Sequence, residues 1–290
     1  DEYLLLDGIS GGSHSYQDGN CIVRFTSGGK SWFGGSSGMD PGSVRDHVGV
    51  SVARDGTGPG CESRYAVLRY VKEDEFASVS GTTITYPEQA DWDRHIVHSR
   101  SGWFLVVDEI WAHCEGEYLG EGRWHVLGEV TRRPGGLIAM QGDARLIMLH
   151  QGSDAEGLAP FPSTRPDEGM QWIQRCLRRL QPGEGVRLAT LFWADRPDSS
   201  DRFDQGWVLK ASASGYRVTG DREEFSVSLD ANSERPLFEP DRLVLPGRDG
   251  MAGSADSAGF RIQAGDLKPM WAGQCNGPVT AFGRLGGGCC

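Results

Sequence analysis

Residues 21–33 read CIVRFTSGGKSWF, which is the pattern of a β-hairpin. A short apolar and β-branched run at 21–25 is followed by the turn SGGK at 27–30 and by a second apolar segment at 31–33. Glycines between two such runs allow the tight connection that joins antiparallel strands. We therefore expect two paired strands in this part of the chain.

Strand patterns of the same kind continue toward the C-terminus. Residues 47–53 (HVGVSVA) alternate, which places Val48, Val50 and Val52 on one face, and residues 103–110 follow the turn SRSG. Turn signals recur about every 8–12 residues, a spacing typical of a β-sandwich or barrel. The 42 glycines and 14 prolines of the chain also favour short strands joined by many turns.

The stretch 168–180 departs from this alternation. It places four apolar residues at helical spacing (Met170, Ile173, Leu177, Leu180). A short amphipathic helix and an edge strand both fit this pattern. The arginines at 175, 178 and 179 are expected to form a solvated face.

The predicted fold is a large antiparallel β-sandwich of the all-β class with little helix. It spans residues 1–235, and residues 236–290 form a C-terminal extension rich in Gly, Ala and Ser. With 38% hydrophobic and 24% charged residues, the chain has enough apolar side chains for a packed core.

The net charge of −11 limits the classes of partner. An acidic protein repels polyanions at long range, so nucleic-acid binding is not expected, and an acidic polysaccharide would need a local basic patch. No stretch approaches the roughly 20 apolar residues of a membrane span.

Seven cysteines are present without any C-x-x-C pair, which argues against a zinc ribbon or a thioredoxin-type site. The odd number leaves at least one thiol unpaired within a monomer, and both oxidising and reducing compartments fit. The adjacent Cys289 and Cys290 either end a frayed tail or form an intermolecular disulfide, so a homo-oligomer is one expected form. Residues 1–6 (DEYLLL) resemble a strand already under way, so we expect a mature or processed fragment of a longer precursor, or a chain whose upstream part is not shown. We expect the protein to be secreted, periplasmic or extracellular.

Residues 1–35 also carry a family resemblance, since they read DEYLLLDGISGGSHSYQDGNCIVRFTSGGKSWFGG. The order of their Leu, Gly, His and Asp residues resembles the β-sandwich (C-terminal) domain of heparinase II/III-like polysaccharide lyases. His47 with the strand after it, Arg94 followed by FLVVD at 104–108, and Trp124-His125 continue that order. The similarity covers about the first 130 residues well. The matching positions in the first segment are Leu5, Gly8, Gly11, Gly12, His14, Asp18 and Gly28.

The resemblance implies a lyase-type supersandwich and β-elimination on a uronate-containing polysaccharide. In such lyases a helical (α/α) toroid precedes the sandwich and the substrate lies between them. A base removes the proton next to the carboxylate, a positive or amide group neutralises the carboxylate, and an acid protonates the leaving oxygen. This chain has no region of ten or more helices, so we expect it to be inactive without a missing toroid domain or partner chain.

The resemblance assigns a catalytic acid or base role to His14, because a neutral imidazole exchanges protons near pH 7. The alternative is a histidine in a Gly-rich loop that binds nothing. His125 is a candidate for substrate binding in the same cleft, with a structural role as the favoured alternative.

Arg94 is a second candidate for binding an acidic sugar, and its alternative role is an ion pair with Asp91 or Asp93. Trp32 and Trp124 are candidate platforms for sugar stacking, although we expect most tryptophans of the chain to fill the core. His95 and His98 lie three residues apart on a predicted strand, which puts them on opposite faces and makes them poor joint ligands.

A zinc ion often occupies the family's sandwich, and its three ligand positions correspond to Tyr16, Gly34 and His47. Tyrosine is a poor zinc ligand and glycine has no side chain, so only His47 is retained. We therefore expect no zinc, and no other metal or cofactor.

A non-catalytic carbohydrate-binding or structural subunit of an extracellular assembly is the second hypothesis. The missing toroid and the two lost ligand positions favour it. Whether a toroid-like helical region accompanies the chain distinguishes the two hypotheses, and the sequence leaves the question of enzyme activity open.

Overall fold

The hairpin at residues 21–33 is present and belongs to a structure built of strands. The computed structural model describes residues 2–9, 18–34, 47–58, 65–160, 169–195, 207–212, 214–220, 224–239 and 242–249. These residues contain no helix, and hence none that could span a membrane. The prediction of an all-β protein is confirmed.

Strands account for most of the described residues, and we number them in chain order. They are β1 Tyr3–Leu6, β2 Ile22–Ser27, β3 Lys30–Phe33, β4 Val50–Arg54, β5 Val67–Glu73, β6 Ala77–Tyr86, β7 Ala90–Ser99, β8 Trp103–Ala112, β9 Gly116–Leu127, β10 Glu129–Arg133, β11 Gly136–Gln141, β12 Ala144–Gln151, β13 Ala155–Pro160, β14 Gly169–Leu180, β15 Gly185–Asp195, β16 Val208–Ser212, β17 Gly215–Thr219, β18 Glu224–Asp230, β19 Leu237–Glu239 and β20 Arg242–Pro246.

The strands form three sheets. The seven-stranded sheet has the order β1-β2-β3-β9-β14-β13, with β4 also paired to β9. The eight-stranded sheet has the order β10-β11-β12-β15-β8-β7-β6-β5, and the five-stranded sheet has the order β16-β17-β18-β20-β19. All pairs are antiparallel except β18 with β20, which is parallel.

The eight-stranded sheet is the middle layer, and both of its faces are covered by other strands. One face meets the seven-stranded sheet through the aromatic residues Phe104 and Phe192, which pack on Phe25 with ring centroids 5.2 and 5.0 Å away. The other face meets the five-stranded sheet through residues such as Leu105 and Leu243. Coverage on both faces explains why all ten residues of β8 (WFLVVDEIWA) are buried and why its apolar run lacks the usual alternation.

The stretch 168–180 is neither the helix nor the edge strand that its spacing suggested. It forms β14, which pairs along its whole length with β9 on one side and with β13 on the other. Burial on both faces of the strand removes the polar alternation that would have identified it. The expected solvated arginine face is wrong for Arg175, which is only 8% exposed, whereas Arg179 is largely exposed.

The five-stranded sheet continues past the expected domain boundary near residue 235. That boundary falls between β18 and β19, which belong to the same sheet, and Leu243 and Leu245 of β20 are fully buried against the middle layer. The strands therefore reach residue 246. Residues 250–290 lie outside the described residues.

Arg94 lies inside the sandwich, between the seven- and eight-stranded sheets. Its side chain is 1% exposed and donates to both carboxylate oxygens of Asp108, over 2.7 and 3.0 Å. The remaining Nη1 donates to the carbonyl oxygens of Asn20 and Val48. The expected pairing with Asp91 or Asp93 is therefore wrong, because those two residues point to the opposite face of β7.

We expect Arg94→Met to lower the free energy of unfolding by about 3–5 kcal/mol, because it leaves the Asp108 carboxylate buried without its cation. Urea denaturation would measure the change. The matched control is Arg217→Met, since Arg217 pairs with Glu224 where both side chains are more than half exposed. That control should change stability by less than about 1 kcal/mol. Equal effects of the two variants would contradict the structural role of Arg94.

His150 is buried where the strands β12 and β13 approach one another. Its Nε2 lies 2.9 Å from both Ser153 Oγ and Glu156 Oε1. Burial, together with the charge of Arg132, lowers the pKa of His150 to about 4. Burial also raises the pKa of Glu156, which limits the negative charge that this carboxyl offers to the imidazole.

The lowered pKa of His150 should make stability depend on pH between about 6.5 and 4. In that interval the unfolded chain binds a proton at His150 that the folded protein does not, so the contribution is complete above pH 6.5 and is lost as the pH falls. The full difference corresponds to about 3 kcal/mol. Urea denaturation at several pH values should give a flatter profile for His150→Phe than for the unmodified chain, and parallel profiles would contradict this assignment.

Candidate functional site

The outer face of the seven-stranded sheet is the face turned away from the middle layer, and it carries a row of polar residues. Trp124 and Val126 of β9 point inward to the core, so by alternation Glu121, Arg123 and His125 point outward. The neighbouring strand β14 follows the same rule, with Trp172 inward. Its outward residues Gln171, Ile173 and Arg175 lie directly opposite His125, Arg123 and Glu121 in the register of the pair.

These side chains form one connected network, which we call the outer-face network: Glu121, Arg123, His125, Gln171 and Arg175. Arg123 donates to Glu121 Oε1 and, over 2.6 Å, to Gln171 Oε1. Arg175 Nε donates to Glu121 Oε2 over 2.5 Å. At the other end, Gln171 Nε2 lies 2.7 Å from His125 Nε2, so the amide donates to the ring when that nitrogen carries no proton.

Every member of the outer-face network is 8% exposed or less. Within the network, the guanidinium groups of Arg123 and Arg175 share the Glu121 carboxylate. Buried charges of this kind are retained only where hydrogen bonds satisfy them, as they do here. The network thus places two cationic side chains on this face of the sheet, although the chain as a whole has a net charge of −11.

The structure brings together only part of the site expected from the sequence. His125 belongs to the outer-face network. Trp32 and Trp124 are 0% and 2% exposed and fill the core between the first two layers, and Arg94 is held there by Asp108. His14 lies outside the described residues.

Sequence reasoning missed the remaining four members of the network: Glu121, Arg123, Gln171 and Arg175. The segment 121–125 (EGRWH) did contain a signal, because its polar residues recur at every second position opposite Trp124. The partners on β14 were hidden by its helix-like spacing. Only the pairing of β9 with β14 brings the two sets together.

The family's zinc positions do not match a zinc site in the described part of this chain. Gly34 follows β3 and has no side-chain donor, and a Cβ at this position would lie 3.3 Å from Leu127 Cδ1. His47 precedes β4, and Tyr16 lies outside the described residues. Within the described ranges, no three His, Cys, Asp or Glu residues are grouped so that they could hold a metal ion. We therefore assign no step to a metal.

We expect Glu121→Gln to destabilise the fold by about 3 kcal/mol or more, because it removes the carboxylate that two buried guanidinium groups share. The matched control is Glu224→Gln, which removes the same charge from an exposed pair and should cost less than about 1 kcal/mol. Thermal and urea unfolding would measure both. A Glu121→Gln variant as stable as the control would show that the network is not needed for folding.

Comparison with known proteins relates this architecture to that of polysaccharide lyases. No family model matches the chain, and no curated protein matches it in sequence. Among solved structures, a heparinase III aligns with a TM-score of 0.57 and 13% identity, covering 77% of this chain and 38% of that chain. The heparan sulfate lyase HepC from Pedobacter heparinus aligns with a TM-score of 0.55 and 10% identity, with the same two coverages.

A further heparinase III crystal structure aligns with a TM-score of 0.51 and 12% identity, covering 71% of this chain and 34% of that chain. The present chain thus spans about a third to two fifths of the length of these proteins. At such identities the match is one of fold. The chain has the fold of the β-domain of heparinase III and heparan sulfate lyase, as the resemblance in its first 130 residues predicted.

Proposed function

We propose that this chain is the β-sandwich part of a polysaccharide lyase that acts by β-elimination on a uronate-containing polysaccharide. The observation that carries the proposal is the outer-face network, which places the guanidinium groups of Arg123 and Arg175 together with His125 on the sheet face turned away from the middle layer. The fold shared with heparinase III and heparan sulfate lyase supports the same reading.

The chemistry of β-elimination explains why such a face would be useful. Removing the proton next to a carboxylate builds negative charge on that carboxylate, and fixed cationic donors lower the energy of the charged state. In this proposal Arg123 and Arg175 provide the positive potential and His125 provides an imidazole on the same face. Apart from His14, the groups that exchange protons with the sugar would come from a helical domain or partner chain, so the isolated chain would bind without reacting.

A non-catalytic binding subunit is the second candidate. The observation that favours it is that the network's side chains bond to one another and are almost fully buried, which suits a rigid recognition surface better than a proton-transferring site. Both candidates require the outer face to attract an acidic polysaccharide. They differ in whether a second domain completes the site.

We expect the purified chain to bind heparan sulfate weakly, with an affinity that falls as salt is raised. Arg123→Met should weaken binding about tenfold, because it removes one of the two guanidinium groups while Glu121 remains paired with Arg175. Arg217→Met is the matched control, since it removes the same charge from the five-stranded sheet. Biolayer interferometry would measure both, and equal losses in the two variants would contradict the role of the outer face.

The question of catalysis is settled by natively purified material. Its intact mass and subunit composition show whether a longer chain or a helical partner is present. If one is present, the complete protein should release unsaturated uronate from the polysaccharide, detected by ultraviolet absorbance, and the chain by itself should release none. A homogeneous assembly of this chain alone would overturn the lyase proposal and leave the binding subunit.

A further inference from the structure

A second polar site lies on the other side of the molecule, between the eight-stranded and five-stranded sheets. It is a cleft of about 560 Å³ whose walls come from β5, β6 and β7, from residues 231, 233 and 234, and from residues 246–248. This volume is in the range of small-molecule sites in proteins, which lie at about 300–1,000 Å³. The middle layer separates the cleft from the outer-face network.

One wall of the cleft belongs to a chain of hydrogen-bonded side chains that starts on β5, passes over β6 and continues on β7, β8 and β15. Tyr70 Oη lies 2.6 Å from His95 Nδ1, and His95 Nε2 lies 3.0 Å from Glu109 Oε2. Arg187 Nε donates to Glu109 Oε1 over 2.9 Å. A hydroxyl proton directed at Nδ1 leaves the ring proton on Nε2, facing Glu109. Each group in this wall is therefore held in one orientation.

The backbone at Gly81 allows the Tyr70 ring to lie over β6. A Cβ at Gly81 would come within 2.4 Å of Tyr70 Cε1, so the absence of a side chain there is required for this ring position. The ring also stacks on His95, with centroids 6.0 Å apart and an interplanar angle of 24°. Tyr70 and the neighbouring Leu68 give the cleft an apolar side.

The opposite wall is closed by an ion pair. Arg248 donates to Asp91 Oδ2 over 2.9 Å, and its Nε lies 2.9 Å from Asp93 Oδ2. Thr83 donates a hydrogen bond to the other oxygen of Asp93. Burial pushes up the pKa of Asp91, but the hydrogen bonds from Thr85 and Arg248 outweigh it and hold that pKa below its usual value.

The charges that line the cleft balance one another. Apart from His95, its charged side chains are Arg69 and Arg248 on the cationic side and Asp93 and Glu234 on the anionic side. An anion would compete with Asp91 and Asp93 for the bound guanidinium, and a cation would be repelled by Arg248. The lining therefore disfavours a charged ligand of either sign.

We propose that this cleft binds a neutral, hydroxyl-rich ligand of the saccharide class. A sugar hydroxyl both donates and accepts, so it can bond at once to a carboxylate and to a guanidinium that are already paired. The apolar side formed by Tyr70 and Leu68 suits the C–H face of a pyranose ring. The proposal does not rest on the lyase function, because none of its residues belongs to the outer-face network.

The test uses the full chain and a panel of neutral saccharides, namely glucose, maltose and N-acetylglucosamine, with glucuronate for comparison. Saturation-transfer difference NMR at millimolar concentrations would detect binding, and titration would give the affinity. We expect at least one neutral saccharide to bind and Arg248→Met to weaken it about tenfold. Tyr70→Phe retains the ring but removes the hydroxyl, and it should weaken binding by a smaller factor.

Arg217→Met is the control for Arg248→Met, because it changes the same charge on an exposed part of the five-stranded sheet and should leave binding unchanged. If Arg248→Met does not fold, as judged by circular dichroism, Tyr70→Phe decides the matter. Absence of binding to every neutral saccharide, binding that neither variant changes, or tighter binding of glucuronate would each overturn the proposal. Loss of heparan sulfate binding in the Arg123→Met variant would not bear on the saccharide proposal, because Arg123 does not line the cleft.

Discussion

The middle sheet of this protein is covered on both faces, and that constraint determines where its charges can be. Each ionised side chain in its central strands has to be paired, because an isolated charge in a dry interior costs several kcal/mol. The adjacent residues Asp108 and Glu109 of β8 are both buried, and both are paired with basic side chains. Asp108 points toward the seven-stranded sheet and holds Arg94, whereas Glu109 points toward the five-stranded sheet and is bonded to His95 and Arg187.

The ion pair of Asp108 contributes to stability, whereas the hydrogen bonds of Glu109 help to form a cleft, because only the second set extends to a solvent-accessible surface. Arg94 and Asp108 are enclosed and connect β7 and β8 to the loops at Asn20 and Val48, so their contribution is to stability. The chain of side chains that begins at Glu109 reaches Tyr70 at the wall of a cleft. The need to pair buried charges thus gives a stabilising ion pair, Arg94 with Asp108, on one face of the middle sheet. On the other face it gives a fixed row of hydrogen-bonded side chains that lines the cleft.

The outer-face network shows that a protein with a net charge of −11 can hold two cationic side chains together on one face of a sheet. Its charge is local and fixed by hydrogen bonds, and the field near such a surface depends on the nearest charges far more than on the distant total, because salt screens the latter over about 10 Å. The overall charge of the chain therefore says little about the charge on one face of one sheet.

Much of the architecture could be predicted from the sequence, because strands and turns are local. The hairpin at 21–33, the alternation at 47–53 and the opposite faces of His95 and His98 all follow from a period of two residues, and the structure confirms them. The resemblance in the first 130 residues identified the fold that the comparison of structures shows. What sequence alone determined was therefore the class of element, the side of the strand on which each residue lies, and the fold.

The tertiary structure decided which residues meet. Arg94 was expected to pair with Asp91 or Asp93, three positions and one position away, and it instead pairs with Asp108 on the neighbouring strand β8. The stretch 168–180 looked helical because burial on both faces erased its alternation, and only its long pairing with β9 reveals the outer-face network. Such contacts depend on strand register and sheet order, which join residues tens of positions apart and leave no periodic trace in the local sequence.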